Sequence, residues 1–297
     1  MQTLDRLQED KITRLIWKLM PEWQQEYFVA IREQMALTER NSKYQKITTA
    51  LLFASTFNPI ARIFLVRPTG IAPAIWMAYH FCRKIDDIAD GDAMLPPQYN
   101  SFSDMTKKLK SAMDNNTYLN TAVEICLRGT VRDMKTYHGV DIREDIYQFL
   151  NTMNYERERR INKTISTRAE LFDLYQSSFG VPQDISLICM GSTVRSKNIP
   201  ELADLQGRLY AVRDLVDELA KGIVFIPKEI LSNGITVDEL CNSYQSNPNI
   251  IAWVQEELKE GKELIYRLKQ KKMDLGGKMI VNYLIKGIDD YIAKFQK

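Results

Sequence analysis

Apolar residues recur at three- and four-residue steps along most of the chain, the spacing of one face of an α-helix. The pattern is clearest in "DKITRLIWKLMPEWQQEYFVAIREQMAL" (10–37), "IIAWVQEELKEGKELIYRLKQ" (250–270) and "MIVNYLIKGIDDYIAKF" (279–295). Alternating strand patterns are scarce, and "GIVFIP" (222–227) is the one short β-branched run. Helix breakers fall between helical runs rather than at one central linker: "RPTG" at 67–70, "LPPQYNS" at 95–101 and "SNPN" at 246–249. No fixed-period repeat or low-complexity segment interrupts them. The pattern predicts a single all-α domain over residues 1–297, with about ten helices.

Two stretches break the amphipathic rule by setting carboxylates among apolar residues. In "YHFCRKIDDIAD" (79–90), Asp86, Asp87 and Asp90 lie among Tyr79, Phe81, Ile85 and Ile88. On a helix over 74–90, Asp86 and Asp90 share a face, with Arg83 one turn earlier. "LQGRLYAVRDLVDELAKG" (205–222) repeats the arrangement: Asp214 and Glu218 are four apart, Asp217 lies on the flank and Arg213 precedes them. Unpaired carboxylates against a core cost several kcal/mol each, so both stretches need counter-charge. In one reading each acid faces water or pairs with Arg83, Lys84, Arg213 or Lys221. In the other, the two acidic helices face each other across a cavity and share divalent ions. Ligands that are all oxygen suit a hard cation such as Mg²⁺, which takes one or two carboxylates and completes its shell with water and phosphate oxygens. Such a pair would hold a diphosphate and ease ionisation of an allylic C–O bond.

Composition narrows the field. The 297 residues are 45% hydrophobic and 26% charged, with a formal net charge of +2, which gives no basic field for nucleic acid. "ERERRINK" (156–163) and "KQKKM" (269–273) read as solvated helix faces, with Arg157 the one candidate to reach a diphosphate. Four scattered cysteines without a CxxC pair read as reduced packing residues of a cytoplasmic protein. Two histidines, His80 and His138, leave little material for a His-built metal site. The start lacks the pattern of a signal peptide. No window reaches 18 uncharged apolar residues, so no spanning helix is expected; peripheral membrane contact and oligomeric state stay open. There is no GxGxxG or P-loop signature.

At "AIWMAYHFCRKIDDIAD" (74–90) and "VRDLVDELAKGIVFIP" (212–227) the chain resembles the squalene/phytoene synthase family, head-to-head isoprenoid synthases. The first matches that family's first aspartate-rich helix, the second its RDxxEDxxxGRxYxP motif. Weaker echoes are "QFLNTMNYERERR" (148–160) and "LYQSSFGVPQDIS" (174–186), and the likeness spans about residues 40–290. The resemblance implies a helical bundle of the isoprenoid (class I terpenoid) synthase type with a central cavity. It implies metal binding, through two or three Mg²⁺ ions, by Asp86 and Asp90 with Asp87 beside them, and by Asp214 and Glu218. Arg83 and Arg213 would contact diphosphate or support the acids. Tyr283 lies where the family often has a tyrosine facing the diphosphate, though a core role on an amphipathic helix is an equal reading.

The departures are informative. Where the family has an Asn one turn before the second-motif Asp, this chain has Tyr210, a poor magnesium ligand. A turn further back its Gln is Gly207. Ile223 and Phe225 replace an Arg and a Tyr, and Pro182, Gln183, Asp184, Ile185 and Ser186 replace A-G-T-V-G. Pro182 should break or kink its helix and free carbonyls near Phe179. Asp184 would then accept from a carbocation or simply cap the helix after the kink. Rings at Trp76, Tyr79, Phe81, Tyr175, Phe179 and Tyr210 can face a cation or pack the core. These changes favour a reaction of one farnesyl or geranylgeranyl diphosphate, ionised and then cyclised as in a terpene synthase. The alternatives are head-to-head transfer to a C30 or C40 product, and a non-catalytic assembly relative.

Overall fold

The structure is a computed structural model that describes residues 71–119, 121–231, 236–243 and 246–295. The helix expected over 10–37, the apolar window at 48–65 and the "RPTG" break lie outside the described residues. Every regular element among the described residues is helical. The chain divides into two compact units, Met1–Arg143 and Glu144–Lys297.

In the first unit, α1 (Ile71–Ala89) packs on α3 (Ala122–His138), with α2 (Phe102–Asn115) between them in sequence. Met77, Ala78, Phe81, Cys82, Ile85, Ile88 and Ala89 of α1 are all buried, the three- and four-residue stripe that makes it helical. Gly91, at φ 78°, ends it in a conformation that a side chain would strain. Ser101 caps α2 through the Asp104 amide, and Thr121 and Glu124 form a reciprocal capping box on α3.

The second unit opens on α4 (Arg143–Ile161) and continues with α5 (Arg168–Cys189), a 3₁₀ turn (Ser196–Asn198), α6 (Pro200–Arg213) and α7 (Leu215–Ala220). A second 3₁₀ turn (Lys228–Ile230), α8 (Val237–Ser243), α9 (Pro248–Gln270) and α10 (Leu275–Phe295) follow. The centre is α6, packed on both α5 and α9 and buried continuously from Leu202 to Gly207. Its buried polar groups are matched: Arg208 Nε donates to Asp204 at 2.8 Å, and Gln183 Nε2 on α5 donates to Gln206 Oε1 at 2.5 Å. "GIVFIP" forms no strand; Ile223, Val224 and Ile226 are buried in an irregular connection. "ERERR" is not wholly a solvated face either. Arg159 is buried, donates to the Val224 carbonyl at 2.8 Å and stacks 4.8 Å from the centre of the Phe225 ring.

Candidate active site

The first acidic motif closes α1. Asp86 and Asp87 occupy its last turn, and Asp90 follows, its amide bonded to the Asp86 carbonyl at 2.9 Å. The buried stripe on the opposite side turns all three partly outward. A helix C-terminus carries partial negative charge, so carboxylates gathered there raise the demand for a cation. Arg83 supplies one, with Nη1 2.8 Å from Asp86 and Nη2 2.6 Å from Asp87. Burial opposes the Arg83 charge, but Asp86 and Asp87 outweigh it and raise its pKa. Tyr79, one turn earlier, is half-buried with its ring edge-on to His80 at 5.6 Å. Phe81 is wholly buried in the core. Burial depresses the His80 pKa from 6.5 to about 4 and lowers that of Lys84, which Asp87 partly offsets.

The second motif is not one uninterrupted helix. Asp214 (φ −97°, ψ 7°) ends α6 and begins α7. The hydrogen-bond ladder still runs through it, from the Asp214 amide to the Tyr210 carbonyl at 2.9 Å and from the Glu218 amide to the Asp214 carbonyl at 2.8 Å. Asp214 and Glu218 therefore stay one turn apart, both partly exposed, while Asp217 is exposed on the flank. Arg213 grips Asp214 in a fork, Nε to Oδ1 at 2.8 Å and Nη2 to Oδ2 at 2.6 Å. Its guanidinium also lies 4.2 Å from the centre of the Tyr210 ring, which meets Phe179 edge-on at 5.6 Å. Tyr210 thus serves as the platform under Arg213.

The altered middle segment lies on α5, and Pro182 does not break it: the helix runs unbroken from Arg168 to Cys189. Pro182 lacks the N–H that would reach the Ser178 carbonyl, while its own carbonyl accepts from Ser186 Oγ at 2.9 Å. Burial of Val181, Ile185, Leu187 and Ile188 outweighs one missing bond. Asp184 accepts from the amide and, at 2.8 Å, from the hydroxyl of Ser196, so it ties α5 to the 3₁₀ turn instead of capping a second helix. Gly207 explains another departure. A Cβ there would lie 2.0 Å from Cγ of Tyr175, so only glycine lets that ring rest on the α6 backbone. Tyr283 is 77% exposed on α10, in line with exposed Leu275 and Met279.

A charged cluster beside Tyr175 escaped the sequence reading. Glu257 of α9, 2% exposed, accepts from Arg208 at 2.7 Å and Arg168 at 3.3 Å. It borders a shallow open cleft that Phe172, Phe225 and Trp253 also line. Burial raises the Glu257 pKa against the pull of Arg208. The i, i+4 pair Asp204 and Arg208 was visible in the sequence; the tie to Glu257, 49 residues on, was not.

The comparisons agree with the architecture. The sequence profile of the Squalene/phytoene synthase family matches residues 59–274. The chain therefore belongs to the squalene/phytoene synthase family, and with it to enzymes acting on prenyl diphosphates. A crystal structure of squalene synthase HpnC from Alicyclobacillus acidocaldarius superimposes with a TM-score of 0.60 at 16% identity, covering 94% of this chain and 97% of that one. The fold is thus the all-α isoprenoid synthase fold. No curated protein sequence matches the chain.

Among the described residues, no group of three or more His, Cys, Asp or Glu side chains is placed to hold a metal ion. Each motif by itself offers carboxylate oxygens beside an arginine. That donor set fits a hard cation that takes one or two protein carboxylates and leaves its other positions to water and phosphate oxygens. Among the described residues, no helix is long and apolar enough to cross a membrane. All four cysteines are free, and burial raises the thiol pKa of Cys126 to about 12.

Proposed function

We propose that this protein is a Mg²⁺-dependent synthase that ionises one allylic prenyl diphosphate, of farnesyl or geranylgeranyl length, and releases diphosphate. The observation that carries the reading is the gathering of Asp86, Asp87 and Asp90 at the C-terminal end of α1, where the helix dipole adds to their demand for a cation. Asp86, Asp87 and Asp90, and separately Asp214, Asp217 and Glu218, would hold two or three magnesium ions. Bound magnesium neutralises charge on the leaving diphosphate and so eases C–O cleavage. Arg83 and Arg213 donate to diphosphate oxygens, for which the guanidinium fork is suited, with Tyr283 a further donor. Tyr79, Phe179 and Tyr210 present ring faces to a cationic hydrocarbon.

After ionisation the cation cyclises and loses a proton, giving a terpene of unchanged carbon number. Three departures support this one-substrate course. Tyr210 replaces a metal-ligating amide and stacks on Arg213; the Tyr175 ring fills the space over Gly207; and bulkier residues from Pro182 to Ser186 replace small ones on α5. The second reading, head-to-head transfer between two prenyl diphosphates, is favoured by family membership. Incubating the protein with farnesyl and geranylgeranyl diphosphate separately, with Mg²⁺, and measuring the product mass separates the two. A C15 or C20 hydrocarbon is expected; a C30 or C40 product would establish transfer.

A further inference from the structure

The seam between α5 and α6 holds a polar pair that no step of the proposed reaction uses. Gln183 and Gln206 are both buried, 3% and 6% exposed, and Nε2 of Gln183 donates to Oε1 of Gln206 at 2.5 Å. Oε1 of Gln183 is buried as well and receives no donor. Buried amide oxygens are nearly always matched, and a bare one lowers stability, so this oxygen is suited to a partner that the fold does not supply. Its place in the seam says which kind. Gln183 lies one helical turn beyond Phe179 on α5, and Gln206 one turn before Tyr210 on α6. The two amides therefore follow the edge-on ring pair along the same seam. The rings are half-buried and the amides buried, so the amides lie deeper. Asp184, next in the chain, is engaged by Ser196. Around the bare oxygen Leu187, Leu205 and Leu209 make the seam apolar, and there the negative end of an amide dipole acts strongly on any positive charge that comes near.

We propose that Oε1 of Gln183 faces the hydrocarbon cation formed on ionisation, one turn beyond the rings of Phe179 and Tyr210, and stabilises its charge. The proposal rests on the reading of the protein as a synthase acting on a prenyl diphosphate. Cleavage leaves both electrons of the C–O bond on the diphosphate and the positive charge on the chain. A neutral amide oxygen lowers the energy of that charge as a fixed dipole. A carboxylate in its place would trap the cation as an ester or take its proton early. Gln206 is a positioning residue: by accepting from Nε2, it fixes which end of the Gln183 amide is left bare. Gln183 stands in the segment where the family has A-G-T-V-G, so the departure does more than add bulk to α5. It puts an oriented dipole on a wall that small residues would leave without one.

The test uses the full-length protein and two probes that do not react, each of farnesyl and of geranylgeranyl length. One is the prenyl thiodiphosphate, whose chain is uncharged; the other is a tertiary ammonium carrying the same chain, offered with inorganic diphosphate. Mg²⁺ is present throughout, and binding is measured by isothermal titration calorimetry. Gln183→Met removes the amide at nearly constant volume, and Gln183→Met with Gln206→Met leaves no bare partner behind. Both should bind the ammonium roughly tenfold more weakly and the thiodiphosphate within about twofold of the unaltered protein, the scale of one dipole meeting a buried charge. Gln206→Met alone should give a smaller loss, again on the ammonium only. A parallel loss on both probes, which a pocket-shaping side chain or a bound water would give, overturns the proposal; so does no loss on either. Should the double variant fail to fold by circular dichroism, Gln183→Asn, which withdraws the amide by one methylene, carries the same comparison. The two readings fail separately. Thiodiphosphate binding and Mg²⁺-dependent diphosphate release by the unaltered protein, without a selective loss in the variants, sink only the role of Gln183. No release and no binding of either probe sink the enzymatic reading, and this proposal with it.

Discussion

Three carboxylates around the C-terminal turn of α1 repel one another and the helix dipole, so removing one charge relieves the fold while it removes a ligand. Asp86→Asn and Asp214→Asn should therefore abolish turnover while changing the free energy of unfolding by less than about 1 kcal/mol. Denaturant titration beside an assay of diphosphate release checks both halves. Gly207→Ala should act in the opposite sense. Its Cβ would clash with the Tyr175 ring at 2.0 Å, and the overpacking should cost roughly 1–3 kcal/mol, read as a lower unfolding midpoint. His80 gives a pH dependence. Because burial lowers its folded pKa to about 4 from 6.5, the unfolded chain takes up the proton first. The stabilisation is full above pH 6.5 and is lost as pH falls towards 4. Between pH 7.5 and 5 this should remove roughly 2 kcal/mol. Asp133, Asp204 and Glu257, raised mainly by burial, pull the other way. The measured quantity is therefore the difference between the unaltered protein and His80→Gln, whose stability should fall less over that interval.

At the scale of elements, α1 was legible because its seven buried apolar residues fall at helical steps and its acids on the remaining face. The break between α6 and α7 was not: Asp214 leaves ideal helical angles while both neighbouring hydrogen bonds persist, and periodicity does not register so small a change. Pro182 pointed to a broken helix by a local rule, yet the packing of the following turns overrode it. In the β-branched run at 222–227, burial, and not strand pairing, selects Ile223, Val224 and Ile226. Long-range partners were beyond reach of any pattern. The tie from α6 to α9 joins Arg208 to Glu257 at 2.7 Å, and Arg208 also pairs with Asp204. Arg208→Met would leave both acids buried without their main counter-charge, which should cost roughly 3–5 kcal/mol. A fall of that size in thermal or denaturant unfolding is the expected outcome.

For the molecule as a whole, the two acidic motifs belong to different compact units, the first to Met1–Arg143 and the second to Glu144–Lys297. Each carries its own arginine, and neither by itself gathers three metal-ligating side chains among the described residues. The reading of one domain rested on the absence of a linker-like composition between the helical runs. The family was legible because its two motifs survive in order and spacing, whereas the reaction type was not, since it depends on the shape of the interior at Tyr175, Gly207 and Tyr210. The claim on which the account stands is magnesium-dependent ionisation of a prenyl diphosphate by the acids of both motifs. Its most direct measurement is diphosphate release from farnesyl and geranylgeranyl diphosphate, each with and without Mg²⁺, by the unaltered protein and by Asp86→Asn and Asp214→Asn. The account predicts release from at least one substrate, only with Mg²⁺, and its loss in both variants; no release from either, or release that persists in the variants, would contradict it.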